Sequence, residues 1–561
     1  MKKLIYLLLL AFTSVWLTAC TEDYLDIKDI EADVSVEELY TRYSYVQGVV
    51  WGVYNYLPDG LNTMMLEAAT DVAESTHEGS ASQLFNNGAW NQFMQPDYRW
   101  SDNFRGIYQA NLYLENHGEV DLEHIKANST ETDSSAYFNA KLNVELMEGE
   151  VLFLKAYFYF ELIKRYGGVP ILEHPIDYED KDLWSNIERN SLDDCVKYIV
   201  ELCDRAAEIV PLNVTQNSWY QDGRVTHVAI KALRARTLLF AASPLFKEAG
   251  TTTTWAEAAA AAHEVLTLNS FLHTNYAALF SSANATNREI IFKRRYGSIN
   301  WFERNQFPIS FTGSNGAHYA PTQNFVDQFE VVSGSGASLT SVDFDWDNPV
   351  HAANPYDNRD PRFNAIVLHN NRMFKNTLIE TFIGGNNGLP RQNASKTGYY
   401  LNKWISTNVD LVNNTNADKT WIYFRTGEFF LNYAEAMYNA YGAGVDPEGY
   451  GMTAIQAYNL IRNRAKVRQL LPSELNQERI ERERMIELSF EDHRFWDVRR
   501  WKKGVEYFGE PVNRIVITKD GADFSYAVEK LEDRVFTSKM HWYPIPQSEI
   551  DNTGWQQNPD W

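Results

Sequence analysis

Cysteine is scarce in this chain, which contains only three in 561 residues. So few cysteines exclude a small secreted scaffold held together by disulfides. Cys195 and Cys203 fall on one predicted helix, where the rise per residue separates them by roughly 12 Å, too far for a disulfide. We therefore expect both thiols to be reduced and buried.

Positive charge is also in short supply. The chain has 51 Lys and Arg against 74 Asp and Glu, which gives a formal net charge of −23. Nucleic-acid binding requires a basic surface that neutralises phosphates. We therefore expect no nucleic-acid partner.

Long apolar runs are missing, so the sequence predicts no transmembrane helix. One short apolar run, Leu4–Phe12, follows two lysines at the N-terminus. A charged segment followed by a short apolar segment is typical of a secretory signal, which is removed from the mature protein.

The end of this signal resembles a bacterial lipobox, Leu17-Thr18-Ala19-Cys20. In such a motif the signal is cut before the cysteine, which then carries three acyl chains. This exceeds the two lipid signals that stable membrane anchoring requires. We predict a lipoprotein signal peptide over 1–19, lipidation of Cys20 and a lipidated tether over 20–35.

Recognisable catalytic motifs are absent as well. The sequence contains no G-x-S-x-G, no H-E-x-x-H, no phosphate-binding loop and no C-x-x-C. A glycoside hydrolase would need two carboxylates about 5 to 9.5 Å apart across a cleft, and no spacing singles out such a pair among the acidic residues. We predict a protein that is not an enzyme, has no cofactor and has no metal among its site residues; a structural metal elsewhere and a glycoside hydrolase stay open as alternatives.

Aromatic residues, by contrast, are abundant at 14% of the chain, with 16 Trp and 32 Tyr. Most of them must form a large core. Flat aromatic side chains on loops also suit the binding of carbohydrates or peptides.

Helical periodicity dominates two parts of the chain. Helices are predicted over 36–57, 101–117, 141–166, 191–209 and 254–268, and again over 424–440 and 452–466, where Thr453 is placed to cap the N-terminus. Between them, residues 271–420 are rich in Gly, Asn, Ser and Thr and lose periodicity.

These patterns predict a mainly α fold in which recurring helix pairs form a tetratricopeptide-like scaffold. We expect one domain over 36–561. Its parts are a helical scaffold (36–270 and 421–505), a loop-rich insertion (271–420) of loops, short strands and short helices, and a C-terminal segment (506–561).

The most distinctive stretch is the segment Glu483–Trp501, ERMIELSFEDHRFWDVRRW, in which acidic and basic residues alternate. On one continuous helix the pairs Arg484–Glu487, Glu491–Arg494 and Asp497–Arg500 would meet at i,i+3. Because the same stretch is rich in Phe and Trp, we expect it to be partly buried with its charges paired.

This stretch resembles the C-terminal signature of the SusD/RagB family. Two earlier blocks resemble that family as well: EGEVLFLKAYFYFELIKRYGGVP (Glu148–Pro170) and GRVTHVAIKALRARTLLFAASPLF (Gly223–Phe246). The order of these blocks along the chain is far more specific than any block alone.

The resemblance implies a surface nutrient-binding lipoprotein of the Bacteroidetes that forms the lid of a TonB-dependent transporter. The implied partners are a SusC-like transporter, an oligosaccharide and the outer membrane, held from its extracellular face through the lipid. Thr21-Glu22-Asp23 resembles the export signal to that face. A RagB-like lid that binds peptides stays open, because the sequence separates the two branches poorly.

In this family the ligand lies on loops near the first helices and in the insertion. Packing in the core or against the transporter is an equal alternative for each aromatic candidate, and His77 with Glu78 is expected to be a solvated loop. The predicted ligand-binding residues are Trp90, Asn91, Tyr296, Trp301, Arg304, Tyr319 and Trp346.

Overall fold

The computed structural model describes residues 36–61, 66–118, 120–128, 134–176, 186–282 and 284–561. The predicted signal peptide, Cys20 and the tether lie outside these residues.

The fold is mainly α, as the sequence predicts. The α-helices are α1 (Val36–Thr41), α2 (Tyr43–Tyr54), α3 (Ser82–Asn86), α4 (Trp100–Asn116), α5 (Glu123–Ala127), α6 (Ser135–Tyr166), α7 (Leu192–Ile209), α8 (His227–Ala242), α9 (Pro244–Glu248), α10 (Trp255–Leu268), α11 (Trp301–Arg304), α12 (Gln323–Val326), α13 (Pro349–Ala353), α14 (Pro361–Ile366), α15 (Thr426–Tyr441), α16 (Ala454–Ala465), α17 (Gln477–Glu487), α18 (Arg494–Arg500), α19 (Gly504–Phe508) and α20 (Gln547–Thr553). Short 3₁₀ turns cover 66–69, 214–216, 276–280, 284–286, 336–338, 472–474 and 538–541.

The long helices pack in chain order. Helix α4 packs on α6, α6 on α7, α7 on α8, α8 on α10, α10 on α15, and α15 on α16. Such a stack, in which each helix contacts its neighbours along the chain, is the arrangement of helical repeats. The scaffold therefore continues directly from α10 to α15, and the insertion leaves and re-enters it between them.

Local signals fix the ends of these helices. Thr254 and Thr453 form capping boxes with the residue three positions on, so the predicted cap at Thr453 is confirmed. Helix α6 ends at Gly167, whose φ of +74° suits a residue without a Cβ.

The strands are short and pair only in twos among the described residues. They are β1 (Ala73–Glu74), β2 (Ile290–Ile299), β3 (Ala320–Pro321), β4 (Val331–Ser333), β5 (Thr340–Val342), β6 (Val367–Leu368), β7 (Met373–Phe374), β8 (Thr377–Leu378), β9 (Tyr400–Leu401), β10 (Ala417–Arg425), β11 (Val512–Asp520) and β12 (Asp523–Glu532). The antiparallel pairs are β1–β3, β2–β10, β4–β5, β6–β9, β7–β8 and β11–β12.

The β2–β10 ribbon closes the base of the insertion. Its register runs from Ala417 opposite Ile299 to Arg425 opposite Ile290, with bulges between. Residues near both ends of the insertion are therefore hydrogen-bonded to each other. Between them lie the predicted loops, short strands and short helices.

The signature stretch is not one continuous helix, so this part of the sequence prediction is wrong. Helix α17 ends at Glu487 and α18 begins at Arg494. Between them Phe490 and Asp492 both adopt a φ of 58°, a left-handed conformation that a right-handed helix cannot contain.

The break changes the partners of the charged side chains. Only Asp497 and Arg500 pair at i,i+3, with Oδ1 and Nε 2.9 Å apart. Glu491 instead accepts from Arg425 at 2.7 Å, and Arg494 donates to Asp71 at 2.7 Å. The expectation that the stretch is buried is confirmed, and most of its charges are paired, with partners from distant parts of the chain. Asp492 and Arg499 are exceptions, since neither forms an ion pair among the described residues; Arg499 donates to the carbonyl of Phe495 at 3.1 Å.

The two cysteines of α7 are free and buried, as expected. Cys195 donates to the carbonyl oxygen of Val169 at 3.3 Å. Among the described residues, no helix combines the length and the apolar character needed to cross a membrane.

Candidate functional site

One surface collects several of the predicted site residues. Strand β1 pairs with β3, Ala73 lying opposite Pro321, which brings the loop after β1 beside the loop before β3. The N–H of Thr76 donates to the carbonyl of Ala317 at 3.3 Å and ties these loops together. We call residues 76–78, 301–306 and 313–319 the loop face.

Hydrogen bonds align the two insertion segments of the loop face. The N–H of Asn315 donates to the carbonyl of Arg304 at 2.7 Å, and the N–H of His318 donates to the carbonyl of Asn305 at 3.0 Å. The guanidinium of Arg304 donates to the carbonyl of Gly313 at 3.0 Å. These hydrogen bonds therefore fix residues 304–305 and 313–318 relative to each other.

Helix α11 is anchored by the buried side chain of its own residue Glu303. Glu303 is buried, forms an ion pair with Lys419 and accepts from the N–H of Ser406 at 2.9 Å. Trp301 and Arg304, at the two ends of this one-turn helix, remain partly exposed. Two predicted ligand-binding residues thus sit on a turn whose position is set by a buried charge.

Tyr319 joins the same face. Its N–H donates to the side-chain oxygen of Gln306 at 3.3 Å, and its side chain is partly exposed. The structure therefore brings Trp301, Arg304 and Tyr319 onto one surface. Asn305, Asn315 and His318 belong to it too; sequence reasoning missed them because only the β1–β3 pairing reveals their neighbours.

His77 and His318 meet edge to face in the loop face. Their ring centroids lie 3.9 Å apart at an interplanar angle of 62°. Burial and the neighbouring His77 lower the pKa of His318 to about 4, so its ring is neutral near pH 7. The expectation of a plain solvated loop is wrong for His77, which packs on this ring, whereas the Glu78 side chain is 90% exposed and lies 3.7 Å from Lys396.

Trp90 does not belong to a surface site. Its side chain is 2% exposed and is enclosed by three aromatic rings, with centroid distances of 5.0 Å to Phe85, 5.0 Å to Tyr543 and 4.7 Å to Trp561. Neither face of the indole is open to a ligand. The structure therefore corrects the prediction for Trp90, whose aromatic surface completes the core.

Asn91 shapes the loop that follows Trp90. Its side-chain oxygen accepts from the N–H of Phe93 at 2.9 Å, and its backbone bridges to Met94. The loop exposes Phe93, Met94 and Tyr98, with 76%, 50% and 43% of their surface accessible. The sequence prediction singled out the buried ring of this aromatic loop, because nothing in the local pattern distinguishes the buried ring from the exposed one.

Tyr296 lies on β2 next to the loop face. Its hydroxyl donates to the carboxylate of Asp59, and burial together with this hydrogen bond raises the pKa of the phenol far above its ordinary value. The guanidinium of Arg294 lies 5.6 Å from the ring centroid. The hydroxyl is thus already hydrogen-bonded within the protein, while the side chain as a whole is partly exposed.

Trp346 is placed apart from the loop face. Its indole N–H donates to Asp327 at 3.1 Å and its ring packs edge-on against Phe344 at 5.1 Å. Neither neighbour belongs to the loop face. The structure therefore divides the predicted residues between at least two places.

The loop face offers little for acid–base catalysis. Its two acidic residues are Glu78, which is exposed, and Glu303, which is buried against Lys419. Two exposed carboxylates facing each other, as glycoside hydrolysis requires, are not present on it. Within the described ranges, no group of three His, Cys, Asp or Glu side chains is arranged to hold a metal ion.

Two family models match the chain. The model described as "SusD family" matches residues 288–561, and the model described as "Starch-binding associating with outer membrane" matches residues 23–239. A comparison with curated proteins finds no match.

Solved structures share the fold over nearly the whole chain. A SusD-like protein from Bacteroides fragilis NCTC 9343 is 25% identical, covers 94% of this chain and 99% of its own, and superimposes with a TM-score of 0.75. A SusD-like carbohydrate-binding protein from the same strain is 21% identical, with coverages of 92% and 99% and a TM-score of 0.73. A surface glycan-binding protein A from Bacteroides fluxus is 20% identical, with coverages of 93% and 100% and a TM-score of 0.58.

Proposed function

The chain belongs to the SusD/RagB family, and we propose that it binds oligosaccharides at the loop face without cutting them. This proposal rests on the position of Trp301, Arg304 and Tyr319, which lie on one surface beside the amides of Asn305 and Asn315. Hydrogen bonds hold the loops that carry these residues. Indole and phenol faces stack on the apolar faces of sugar rings. Amide and guanidinium groups supply hydrogen bonds for hydroxyls.

Rigidity supports the same proposal. The buried carboxylate of Glu303 anchors its own helix α11, and hydrogen bonds donated by the N–H groups of Asn315, His318 and Tyr319 hold the loop before β3. A surface that is already ordered loses little conformational entropy when a ligand binds. The names of the carbohydrate-binding and glycan-binding relatives point to the same class of ligand.

The proposed cellular role is capture and delivery. We propose that the protein is anchored to the extracellular face of the outer membrane through lipidated Cys20 and that it passes its ligand to a SusC-like TonB-dependent transporter. The description of the N-terminal family model supports association with the outer membrane. Co-purification from outer membranes in mild detergent tests the partnership, and repeated failure to recover a large β-barrel protein would contradict it.

Binding is tested by calorimetry against a panel of glycans, with reducing-sugar release measured in parallel. Trp301→Ala should weaken binding about thirtyfold, which corresponds to about 2 kcal/mol for an aromatic anchor. Arg304→Ala should weaken it less, because its guanidinium is partly engaged with Gly313. Trp346→Ala is the matched control, since it removes a half-buried tryptophan elsewhere in the insertion.

Each other outcome has a definite meaning. Loss of binding in Trp346→Ala but not in Trp301→Ala would move the site away from the loop face. Binding of peptides with no binding of any glycan would favour a RagB-like lid. Sugar released by the pure protein would favour a glycoside hydrolase.

A further inference from the structure

A second concave surface lies where the chain's C-terminal segment crosses the scaffold. A groove of about 920 Å³ opens between the end of α6, the start of α7, helix α9 and residues 538–560. Its volume is within the range of small-molecule sites. None of its lining residues belongs to the loop face.

Two tryptophans form aromatic walls of this groove. Trp542 and Trp555 are both half-buried and line the cavity. The indole N–H of Trp555 donates to the carbonyl of Ile187 at 2.7 Å, and the Trp542 ring packs against Phe246 at a centroid distance of 5.2 Å. Both rings are therefore fixed in place by the protein while part of each remains open to the groove.

Trp542 is held in position by its neighbours. Its carbonyl oxygen accepts from the indole N–H of Trp561 at 3.1 Å. Gly167, with a φ of +74°, lies beside the ring, since an added Cβ would come into van der Waals contact with Trp542 Cδ2 and Cε3 at 4.0 Å. The groove thus presents the exposed part of an indole ring that the protein holds in place.

The charges of the groove cancel. Three acids line it and three bases line it, so the formal charge of the lining is zero; they are Glu188, Glu248, Asp560, Arg189, Lys502 and Lys539.

Most of these charges are already engaged. Lys502 pairs with Glu248, and the ammonium of Lys539 lies 4.4 Å from the Trp561 ring centroid. The guanidinium of Arg189 donates to the carbonyls of Gly168 and Tyr166 at 2.9 and 3.1 Å. A charged ligand meets a lining of mixed sign with no net charge, whereas a neutral ligand rich in hydroxyls meets polar side chains of both signs along the rim.

We infer that this groove is a second binding site for a neutral oligosaccharide, separate from the loop face. A sugar ring packs against the parts of the Trp542 and Trp555 rings that line the groove. The polar rim contributes hydrogen bonds. The inference does not depend on the loop face, because none of the residues that carry it lies there.

The groove can be closed without disturbing its walls. Ala249 is an exposed lining residue that follows the five-residue helix α9, so Ala249→Trp places a large side chain in the cavity. Ala353→Trp is the matched control, because Ala353 is exposed at the end of the five-residue helix α13 and lines no described cavity. Trp542→Ala removes the stacking face itself.

The test is calorimetry of the full mature chain with maltohexaose, laminarihexaose, xylohexaose and mannohexaose. At least one of these probes should bind with a component that weakens tenfold or more in both Trp542→Ala and Ala249→Trp. The same component should persist in Ala353→Trp and in Trp301→Ala, which separates it from the loop face. Circular dichroism establishes whether each variant is folded. If Trp542→Ala is not folded, the binding measured with Ala249→Trp decides whether the groove is the site.

Two results would overturn the inference. One is binding of a probe that is unchanged in every folded groove variant, which would place all sugar binding elsewhere. The other is a wild-type chain that binds none of the four probes. Failure of Trp301→Ala to weaken any component would instead count only against the loop face.

Discussion

Arg362 of the insertion and Glu483 of α17 form an ion pair in the interior, with Nη1 and Oε1 2.5 Å apart and both side chains at most 2% exposed. The same Nη1 reaches Glu487 at 3.1 Å, and the far side of the guanidinium donates to Asp360 at 2.7 Å. One arginine thus joins the insertion to the signature stretch by shared charges.

Removing this arginine should be costly. Arg362→Met leaves Asp360 without its buried counter-ion and takes one from Glu483 and Glu487, so the free energy of unfolding should fall by about 3–5 kcal/mol. Urea denaturation followed by circular dichroism measures the change. Lys126→Met, which breaks an exposed pair with Glu123, should leave stability almost unchanged; a loss as small in Arg362→Met would show that the network is not stabilising.

The same connection predicts that the insertion and scaffold unfold together. If residues 36–561 form one domain, scanning calorimetry should give a single transition whose calorimetric and van't Hoff enthalpies agree. Two resolved transitions, with the first abolished by deletions within the insertion, would contradict the single-domain prediction.

Asp492 should make stability depend on pH. Burial raises the pKa of its carboxyl from about 3.8 to about 7, although Lys164 acts in the opposite direction. The folded state therefore holds a proton that the unfolded state releases between about pH 4 and 7, and stability is lost as the pH rises through this window.

Asp492→Asn removes that penalty while retaining the oxygen that accepts from Leu66 at 3.2 Å. The variant should match the wild type near pH 4 and exceed it at pH 8 by up to about 4 kcal/mol, since one pKa unit is worth about 1.4 kcal/mol. Asparagine also tolerates the φ of 58° at this position. Equal stabilities at pH 8, measured by urea denaturation, would mean that Asp492 is ionised without cost.

Trp90→Ala should destabilise the protein without affecting ligand affinity in the molecules that fold. Removing an enclosed indole leaves a cavity among Phe85, Tyr543 and Trp561, which should cost about 3–5 kcal/mol. Phe93→Ala, on the same loop but exposed, should cost far less. Thermal unfolding and calorimetry on both variants make the comparison, and a stable Trp90→Ala protein with weakened binding would reverse it.

Cys20→Ala should release the protein from membranes, because the predicted acyl chains are then missing. Fractionation of cells that lack the transporter partner gives the clearest reading. Continued membrane association of the variant in those cells would refute the anchor.

The sequence predicts the scaffold well because helix signals are local. The cap at Thr453 and the end of the helix predicted over 141–166 are read from neighbouring residues, and both are confirmed. The break between α17 and α18 was missed because charge alternation fits a helix equally well. What decides against a helix are partners far away in the chain: Arg425 for Glu491 and Asp71 for Arg494.

The site is less predictable for the same physical reason. Whether Trp90 or Phe93 faces solvent depends on Trp561, which lies more than 400 positions away in the chain. The loop face likewise forms only because β1 pairs with β3, which lies far away in the chain. Residue types in a loop restrict the chemistry that is possible, but long-range packing selects which side chains are presented.

The burial of Cys195 and Cys203 has a practical consequence for observing motion. Burial raises the pKa of the Cys195 thiol to about 11 and that of Cys203 well above its ordinary value, so neither forms the thiolate that reacts with maleimides. A chain lacking Cys20 therefore behaves as cysteine-free towards such reagents. In such a chain, Phe93→Cys or Ala353→Cys places a single reactive thiol at an exposed position. That thiol is a unique attachment point for a fluorophore or spin label, and neither Cys195 nor Cys203 has to be replaced.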